Sequence, residues 1–292
     1  ADLADRFIRF VVSPLGPVQA VVELASQAAL VVVDRAYGNV ERSWRRTVAL
    51  QISCRMVEVE ANVVVPAETV STKEEYSAAT FRRKIEPMIS FFAQEVEIPE
   101  VNMHSQDVDP RVMEIFPWNP NTIISDMGMR RSVACRIRVR GGQNSAMDQL
   151  DDFMSRLDRY EAQRNDPADP CVSSLSPYLH FGQISPVVIY NRAAAQRCPG
   201  SAAFIEQLVV RRELAMNFVL YNPRYDQYEG LPEWARASLK KHEQDPRPIR
   251  YTSEELESGK THDPYWNAAQ RELVHLGTMH GYMRMYWGKK IL

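Results

Sequence analysis

Apolar positions recur at helical spacing from Val18 to Ala29, then give way to Leu30-Val31-Val32-Val33-Asp34, a continuous apolar run closed by an acid. That is the pattern of a buried parallel strand. Val40 to Leu50 is helical again, while residues 56–60 and Val63-Val64-Val65 read as extended, the second closed by Pro66. Ser71 is placed to cap a long helix, with Glu74 three positions on completing a capping box. These segments predict an incomplete, parallel-sheet α/β domain over residues 1–95, because the opening strands of such a layer are absent. Residues 96–142 lose periodicity at Pro99, Pro110, Pro117 and Pro120 and end at Gly141-Gly142, which predicts an interdomain linker with a short strand at 135–139. From Asn144 the spacing is helical nearly throughout. Residues 146–164 predict one amphipathic helix, Ser185-Pro186 the start of another, 201–221 a third, 232–241 a fourth, and 262–292 a consecutive pair. An α/β remnant followed by an all-α domain over 143–292 is the expected architecture.

The last pair carries unusual side chains. Trp266 stands near the start of its first helix, and His280, Arg284 and Trp287 fall at i, i+4 and i+7 of the second, beside Met279 and Met283. Cations and indoles on one stripe suit a flat, aromatic, anionic partner, for which a flavin and a nucleic acid both qualify. Tryptophans that merely pack two helices together would give the same pattern.

Composition adds boundaries. With 292 residues, 45% hydrophobic and 25% charged, the chain is globular and has room for one large or two ordinary domains. A net charge of -2 gives no overall field for nucleic acid, although Arg271, Arg284, Lys289 and Lys290 face only Glu272 over the final stretch. Cys54, Cys135, Cys171 and Cys198 show no close pairing and read as reduced thiols of a cytosolic protein. No run is long enough for a membrane span, and none resembles a signal peptide. The chain opens on Ala1 and stops at Leu292 within a helical pattern, so it reads as truncated at both ends.

Two further constellations stand out. The helix SAAFIEQLVVRRELAMNFVLY is apolar nearly all round, yet holds Gln207, Arg211, Arg212 and Glu213 at its middle, with Phe204, Gln207 and Arg211 on one face. Buried charge there needs a partner, either an internal ion pair such as Arg212–Glu213 or a bound anion. In Ser173-Ser174-Leu175-Ser176-Pro177, Ser176 is placed as an N-cap with Pro177 at the first helical position, a ready seat for a pyrophosphate, although most such helix starts bind nothing. Tyr160 and Arg164 lie one turn apart upstream, placed either to close over such a ligand or to be solvated. Other chemistries are absent: Gly259-Lys260-Thr261 lacks the first glycine of a phosphate loop, there is no G-x-G-x-x-G, His275 and His280 are not on one face for a metal, and no nucleophile elbow occurs.

In order along the chain, LVVVDRAYGNVERSWR (30–45), VVVPAETVSTKEEYSAATFRRKI (63–85), RNDP (164–167), SSLSPYLHFGQISP (173–186), EQLVVRREL (206–214), and YNPRYD, GKTHDPYWNAAQRELV and MHGYMRMYWGKKIL to the end resemble the class II cyclobutane pyrimidine dimer photolyases. The resemblance implies a carbon–carbon lyase that repairs ultraviolet-damaged DNA with light: reduced FAD (FADH⁻) passes an electron to a dimer flipped out of the duplex, and the cyclobutane ring opens. It implies an incomplete Rossmann-like domain, where an antenna chromophore would sit, followed by a helical FAD-binding domain. Tyr160, Arg164, Ser173, Ser174, Leu175, Ser176, Gln207, Arg211 and Arg284 match positions around the flavin, and Gln207 also lines the lesion pocket. Trp266 and Trp287 match an electron relay to the surface. Arg211, Gly281, Tyr282, Lys289 and Lys290 match the DNA-facing rim. The partner is damaged DNA, with no membrane or metal, and the protein is expected as a monomer, cytoplasmic and nucleoid-associated in a prokaryote or nuclear in a eukaryote.

This chain departs from the pattern in places. Gln207 replaces a glutamate that in some relatives contacts the dimer. The chain also stops before a third relay tryptophan, an asparagine facing flavin N5 and a DGRDPNG-type segment. Rival readings are a cryptochrome-like photoreceptor, an inactive photolyase fragment, and a helical DNA-binding module without cofactor.

Overall fold

In the computed structural model, residues 2–94, 96–97, 99–102, 104–105, 139–168 and 170–291 are described. They belong to two compact units, residues 1–61 with 94–132, and residues 62–93 with 133–292. Of the expected linker, residues 106–138, with most of the 135–139 strand, lie outside the described residues.

The first unit is α/β. A single turn, α1 (Asp2–Asp5), precedes α2 (Pro17–Ala25), whose proline occupies a helix start where an N–H would be unpaired anyway. β1 (Leu30–Asp34) pairs in parallel with β2 (Arg55–Val59), Leu30 opposite Arg55 and Asp34 opposite Val59, and α3 (Asn39–Gln51) is the crossover that parallel pairing requires. Arg45 fastens α3 in place, its Nε donating to Glu58 at 2.5 Å and its Nη2 to the Ala36 carbonyl at 2.7 Å. The expectation of a fully buried strand is corrected: Val31 and Val33 are half-buried, but Leu30 and Val32 are 48% and 58% exposed, because the two-stranded sheet is covered on one face only among the described residues.

The second unit is helical, and residues 62–93 are part of it, so the units divide at residue 61 and not at the expected 95. Val63-Val64-Val65 form no strand. Their stretch is a series of bends because buried Glu213 accepts from the Val64 N–H at 2.6 Å and the Val65 N–H at 3.3 Å, where a strand would need a neighbouring strand. The expected capping box at Ser71 and Glu74 is also absent. α4 (Ala67–Val70) ends at Ser71, and α5 (Ala78–Phe92) starts behind Ser77, whose hydroxyl accepts from the Thr80 N–H at 3.2 Å. Ser71 instead donates to Glu75 at 2.7 Å, and the Glu75 N–H donates to Asn217 at 2.8 Å, so tertiary partners claim the segment that a helix would have used.

The single helix expected over 146–164 is three pieces: α6 (Gln143–Met154), a 3-10 turn at Leu157–Arg159, and α7 (Tyr160–Gln163). The chain turns where α10 (Pro199–Ile205) approaches, and a Cβ added at Gly200 would lie 1.7 Å from the Leu157 carbonyl oxygen. Only a residue without a side chain admits that approach. Gly200→Ala is therefore expected to lower stability by about 2 kcal/mol through overpacking against backbone. Gly288→Ala, where nothing lies within 4 Å, should leave the urea midpoint unchanged or slightly raised.

Between these pieces lie α8 (Ser176–His180) and α9 (Pro186–Ala195), the latter capped as expected by Ser185, which accepts from the Val187 N–H at 3.2 Å. α10 runs through a π-helical stretch, Glu206–Arg211, into α11 (Arg212–Tyr221). α12 (Glu233–Lys241), α13 (Ser253–Glu257), α14 (Pro264–Leu276) and α15 (Gly281–Ile291) complete the unit. Its core is built from Phe81 and Ile85, Leu150 and Phe153, Leu157, Leu175, Ile189 and Val209. Among the described residues no helix is long and apolar enough to cross a membrane.

Candidate functional site

The expected site residues stand in two groups. The first lies on the helices around the main core. Tyr160 is buried, edge-on to Phe153 at 5.6 Å and to Phe204 at 5.4 Å. Arg164, one turn on, holds its guanidinium carbon 5.9 Å from the Tyr160 ring centroid, within cation–π range. Burial pushes the Tyr160 hydroxyl above its ordinary pKa, and the Arg164 hydrogen bond offsets part of that rise.

The serine turn differs from its expected form. Ser176 is the first residue of α8 rather than its cap, and the capping position, Leu175, is a buried plug. Ser174 adopts φ 54, a left-handed conformation unusual for serine. The turn is held by Leu175 and by Gln149, whose amide donates to the Ser173 carbonyl at 3.1 Å. With five residues, α8 lends little dipole. What the turn presents are the exposed Ser174 and Ser176.

The π stretch alters the expected Phe204–Gln207–Arg211 face. Its wider turn rotates the residues that follow, and such turns occur often at functional sites. Gln207 is half-buried, whereas Arg211 is exposed and donates to Glu206 at 3.1 Å. Glu206 also takes a forked pair of bonds from Arg82, at 2.6 and 3.1 Å, which hold its carboxyl below the usual range against the opposing effect of burial. Of the two readings weighed for this charge, an internal pairing or a bound anion, the structure gives both Arg212 and Glu213 partners within the protein. Arg212 donates to the Asn62 carbonyl at 2.7 Å and to its side-chain oxygen, while Glu213 takes the Val64 and Val65 N–H groups.

The second group stands on α14 and α15, which pack together, with α14 also against α13. Trp266 and Trp287 stack with ring centroids 4.1 Å apart and planes 8° from parallel. The Trp266 indole N–H donates to the Leu256 carbonyl at 3.1 Å, whereas the Trp287 indole N–H is buried without a partner. The shared stripe expected from His280, Arg284 and Trp287 is not a single surface, because His280 lies one residue before α15. It is buried, Arg284 is exposed, and Trp287 is half-buried. His280 Nδ1 accepts from the Tyr282 N–H at 3.2 Å, so its proton sits on Nε2, which has no partner. Gln270 Oε1 is a third buried atom left without one. Tyr282 and Lys289 are exposed, and Arg284 folds back toward Gly281. Lys290, expected on a phosphate-facing rim, is engaged by Asp263 at 3.3 Å.

Asp263 was not singled out by sequence, although Asp-Pro before an apolar run is a helix-start signal. It caps α14, accepting from the N–H groups of Tyr265 at 3.0 Å and Trp266 at 3.2 Å, and it also accepts from the Tyr286 hydroxyl. Burial raises its carboxyl pKa, but the bonds from Tyr286, the Trp266 N–H, Lys290 and the Tyr265 N–H outweigh this and hold it low. Glu75, hydrogen-bonded by Lys84 and Ser71, is likewise lowered despite burial. Depressed carboxyls bind fewer protons folded than unfolded. Their stabilisation is complete above the unfolded-chain values, about 3.9 for Asp and 4.3 for Glu. It is lost as pH falls through the lower folded values. Urea midpoints should therefore stay flat from neutral pH down to those values and then drop, and Asp263→Asn should reduce the slope of that acid limb.

Residues 1–100 match the family model described as DNA photolyase. The chain is similar to the deoxyribodipyrimidine photo-lyase of Methanothermobacter thermautotrophicus, with 43% identity over all of this chain and 64% of that protein. Among solved structures it is similar to a cryptochrome of Synechocystis sp. PCC6803, with TM-score 0.71 and 19% identity over 92% of this chain and 56% of that one. It is also similar to an archaeal photolyase of Sulfolobus tokodaii solved with two FAD molecules, with TM-score 0.63 and 18% identity over 98% of this chain and 59% of that one. The two structural likenesses bear on the fold. The chain spans 64% of the length of its Methanothermobacter relative and about half that of the next curated relatives.

Proposed function

We propose that the chain is a member of the DNA photolyase family, whose model its residues 1–100 match, and that it serves light-driven repair of cyclobutane pyrimidine dimers, in the manner of the class II branch. The observation that carries the reading is the stacked Trp266–Trp287 pair in a chain 43% identical to a photo-lyase. Two indoles 4.1 Å apart and nearly parallel overlap well enough to share a positive hole, which leucine packing would never provide.

The residues fit FAD. Buried donors at His280 Nε2 and Trp287 Nε1 and a buried acceptor at Gln270 Oε1 lack partners, and an unmade buried hydrogen bond is costly. The exposed serines at 174 and 176 suit phosphate oxygens, and Tyr160, Arg164, Gln207, Arg211 and Arg284 supply the aromatic, amide and cationic groups that a flavin nucleotide takes up. Bound in its reduced form, FAD supplies on illumination the electron that opens the cyclobutane ring. Trp266 and Trp287 deliver electrons inward from the surface, and half-buried Gln207 offers an amide to the flipped lesion but no proton of carboxylic strength. Lys289, with Tyr282 and Gly281 two turns earlier on the same helix, contacts DNA phosphates, and Lys290 joins them only by giving up Asp263. An antenna chromophore belongs to the same proposal, with none of the described residues assigned to it.

The test is reconstitution with FAD, followed by blue-light repair of a thymine-dimer oligonucleotide. Loss of dimers under light and not in darkness supports the reading. Bound flavin that is photoreduced while dimers persist would favour the photoreceptor reading, to which the cryptochrome likeness lends its fold.

A further inference from the structure

Asp263 and Tyr286, to which no cofactor or DNA role is assigned, form a polar cluster with Lys290 where the two tryptophan-bearing helices meet. Asp263 divides its two oxygens between two tasks. Oδ1 accepts from the Tyr265 and Trp266 N–H groups, which completes the helix cap, and Oδ2 accepts from the Tyr286 hydroxyl and from Lys290. Tyr286 is peptide-bonded to Trp287. One phenol is thus linked through main-chain atoms to both residues of the stack, by the peptide bond to Trp287 and by a single carboxylate to the backbone N–H of Trp266. Capping needs only the first oxygen, and Lys290 alone would neutralise the second.

We infer that Tyr286 is a one-electron donor to the Trp266–Trp287 pair, with Asp263 as the acceptor of its proton. The inference rests on the proposed light-driven oxidation of that pair. When an indole has lost an electron to a light-excited oxidised flavin, an electron from Tyr286 refills it. The phenol O–H bond breaks in the same step, and the proton moves along the existing hydrogen bond to Asp263 Oδ2. The products are a neutral indole, a neutral tyrosyl radical and a neutral carboxylic acid, so charge is conserved and no phenol cation has to exist in a partly buried site. Lys290, its ammonium 5.3 Å from the Tyr286 ring centroid, further disfavours such a cation and favours release of the proton. Tyr265 lies edge-on to Tyr286 at 6.5 Å and is 68% exposed, so an aromatic contact continues outward from the phenol to solvent.

A purely structural staple between α14 and α15 would share the same contacts, so the test reads radicals and not stability alone. Tryptophans are oxidised without flavin, by azidyl radicals from pulse radiolysis. The background is Trp44→Phe, Trp118→Phe and Trp234→Phe, which leaves Trp266 and Trp287 as the only tryptophans of the sequence. Transient absorption follows indolyl decay and tyrosyl rise in H2O and D2O. The expected result is a tyrosyl rise that mirrors indolyl decay and slows in D2O. That phase should be absent in Tyr286→Phe. In Asp263→Asn, which keeps a capping side chain but loses the base, it should slow about tenfold, the equivalent of one charge-assisted hydrogen bond. An unchanged tyrosyl rise in Tyr286→Phe, or no rise in the parent, overturns the assignment. So does an Asp263→Asn rate equal to the parent's. Radiolytic transfer that persists in a chain that, loaded with reduced FAD, splits no dimers under light supports the donor role and refutes the repair reading, so the two failures are distinguishable.

Discussion

Replacing Glu213 with alanine is expected to destabilise the helical unit by about 3 kcal/mol, among the largest single-site losses in the chain. Its carboxylate is 2% exposed and takes the N–H groups of Val64 and Val65, residues almost 150 positions earlier. Removing it strands two buried backbone donors and leaves a cavity, and both terms carry the same sign. Glu213→Gln keeps an acceptor oxygen but gives up the charge assistance and turns an amide N–H toward a donor, so an intermediate loss is expected. Urea unfolding followed by far-ultraviolet circular dichroism checks both. A Glu213→Ala midpoint equal to the parent's would show that the 62–66 bends are held by other contacts.

The second large effect concerns electron delivery. With FAD bound, Trp287→Phe is expected to slow flavin photoreduction about a hundredfold, or ~2.7 kcal/mol in barrier, because a benzene ring is far harder to oxidise than an indole. Phenylalanine retains much of the stacked contact with Trp266, so stability should change by less than about 1 kcal/mol. Trp266→Phe should impair photoreduction similarly and cost roughly 1 kcal/mol more in stability, since the bond from its indole N–H to Leu256 is lost. Steady blue illumination with an external reductant, monitored by bleaching of oxidised flavin, measures the rates. Variants that bleach as fast as the parent would remove the relay role from the pair. A dimer-splitting assay on chemically pre-reduced protein separates this defect from one in repair itself, which should be spared.

Local sequence was informative wherever structure depends on neighbours a few positions apart. The apolar run from Leu30 to Asp34 is the strand β1, Ser185-Pro186 starts α9, and the 201–221 and 262–292 patterns become helices close to their expected bounds. The tryptophans stood out too, since a residue type so rare in a plain core announces itself, whereas the serine turn was expected with Ser176 as its cap and has Leu175 there instead. What failed did so for one reason. Ser71 and Glu74 make a sound capping box on paper, but Glu75 and Asn217 offer Ser71 and its neighbours better partners from elsewhere. Val63 to Val65 have strand propensity, yet their ladder partner is a carboxylate on α11.

The site divides in the same way. Spacing placed Trp266 and Trp287 on consecutive helices, but the 8° stack of their rings came from the α14–α15 packing. Spacing also put Lys290 on a rim for phosphate, while folding gave it to Asp263, and nothing local linked Asp263 to Tyr286 across 23 positions. By itself the sequence determined the order of elements, most helix starts and the kinds of side chain available for chemistry, because those follow from interactions within one or two turns. The tertiary structure decided which buried carboxylate meets which donor, where the long helix widens into a π turn, and which ring faces which. Those choices are made among groups far apart in the chain, where the lowest-energy partner exists only after the core has closed.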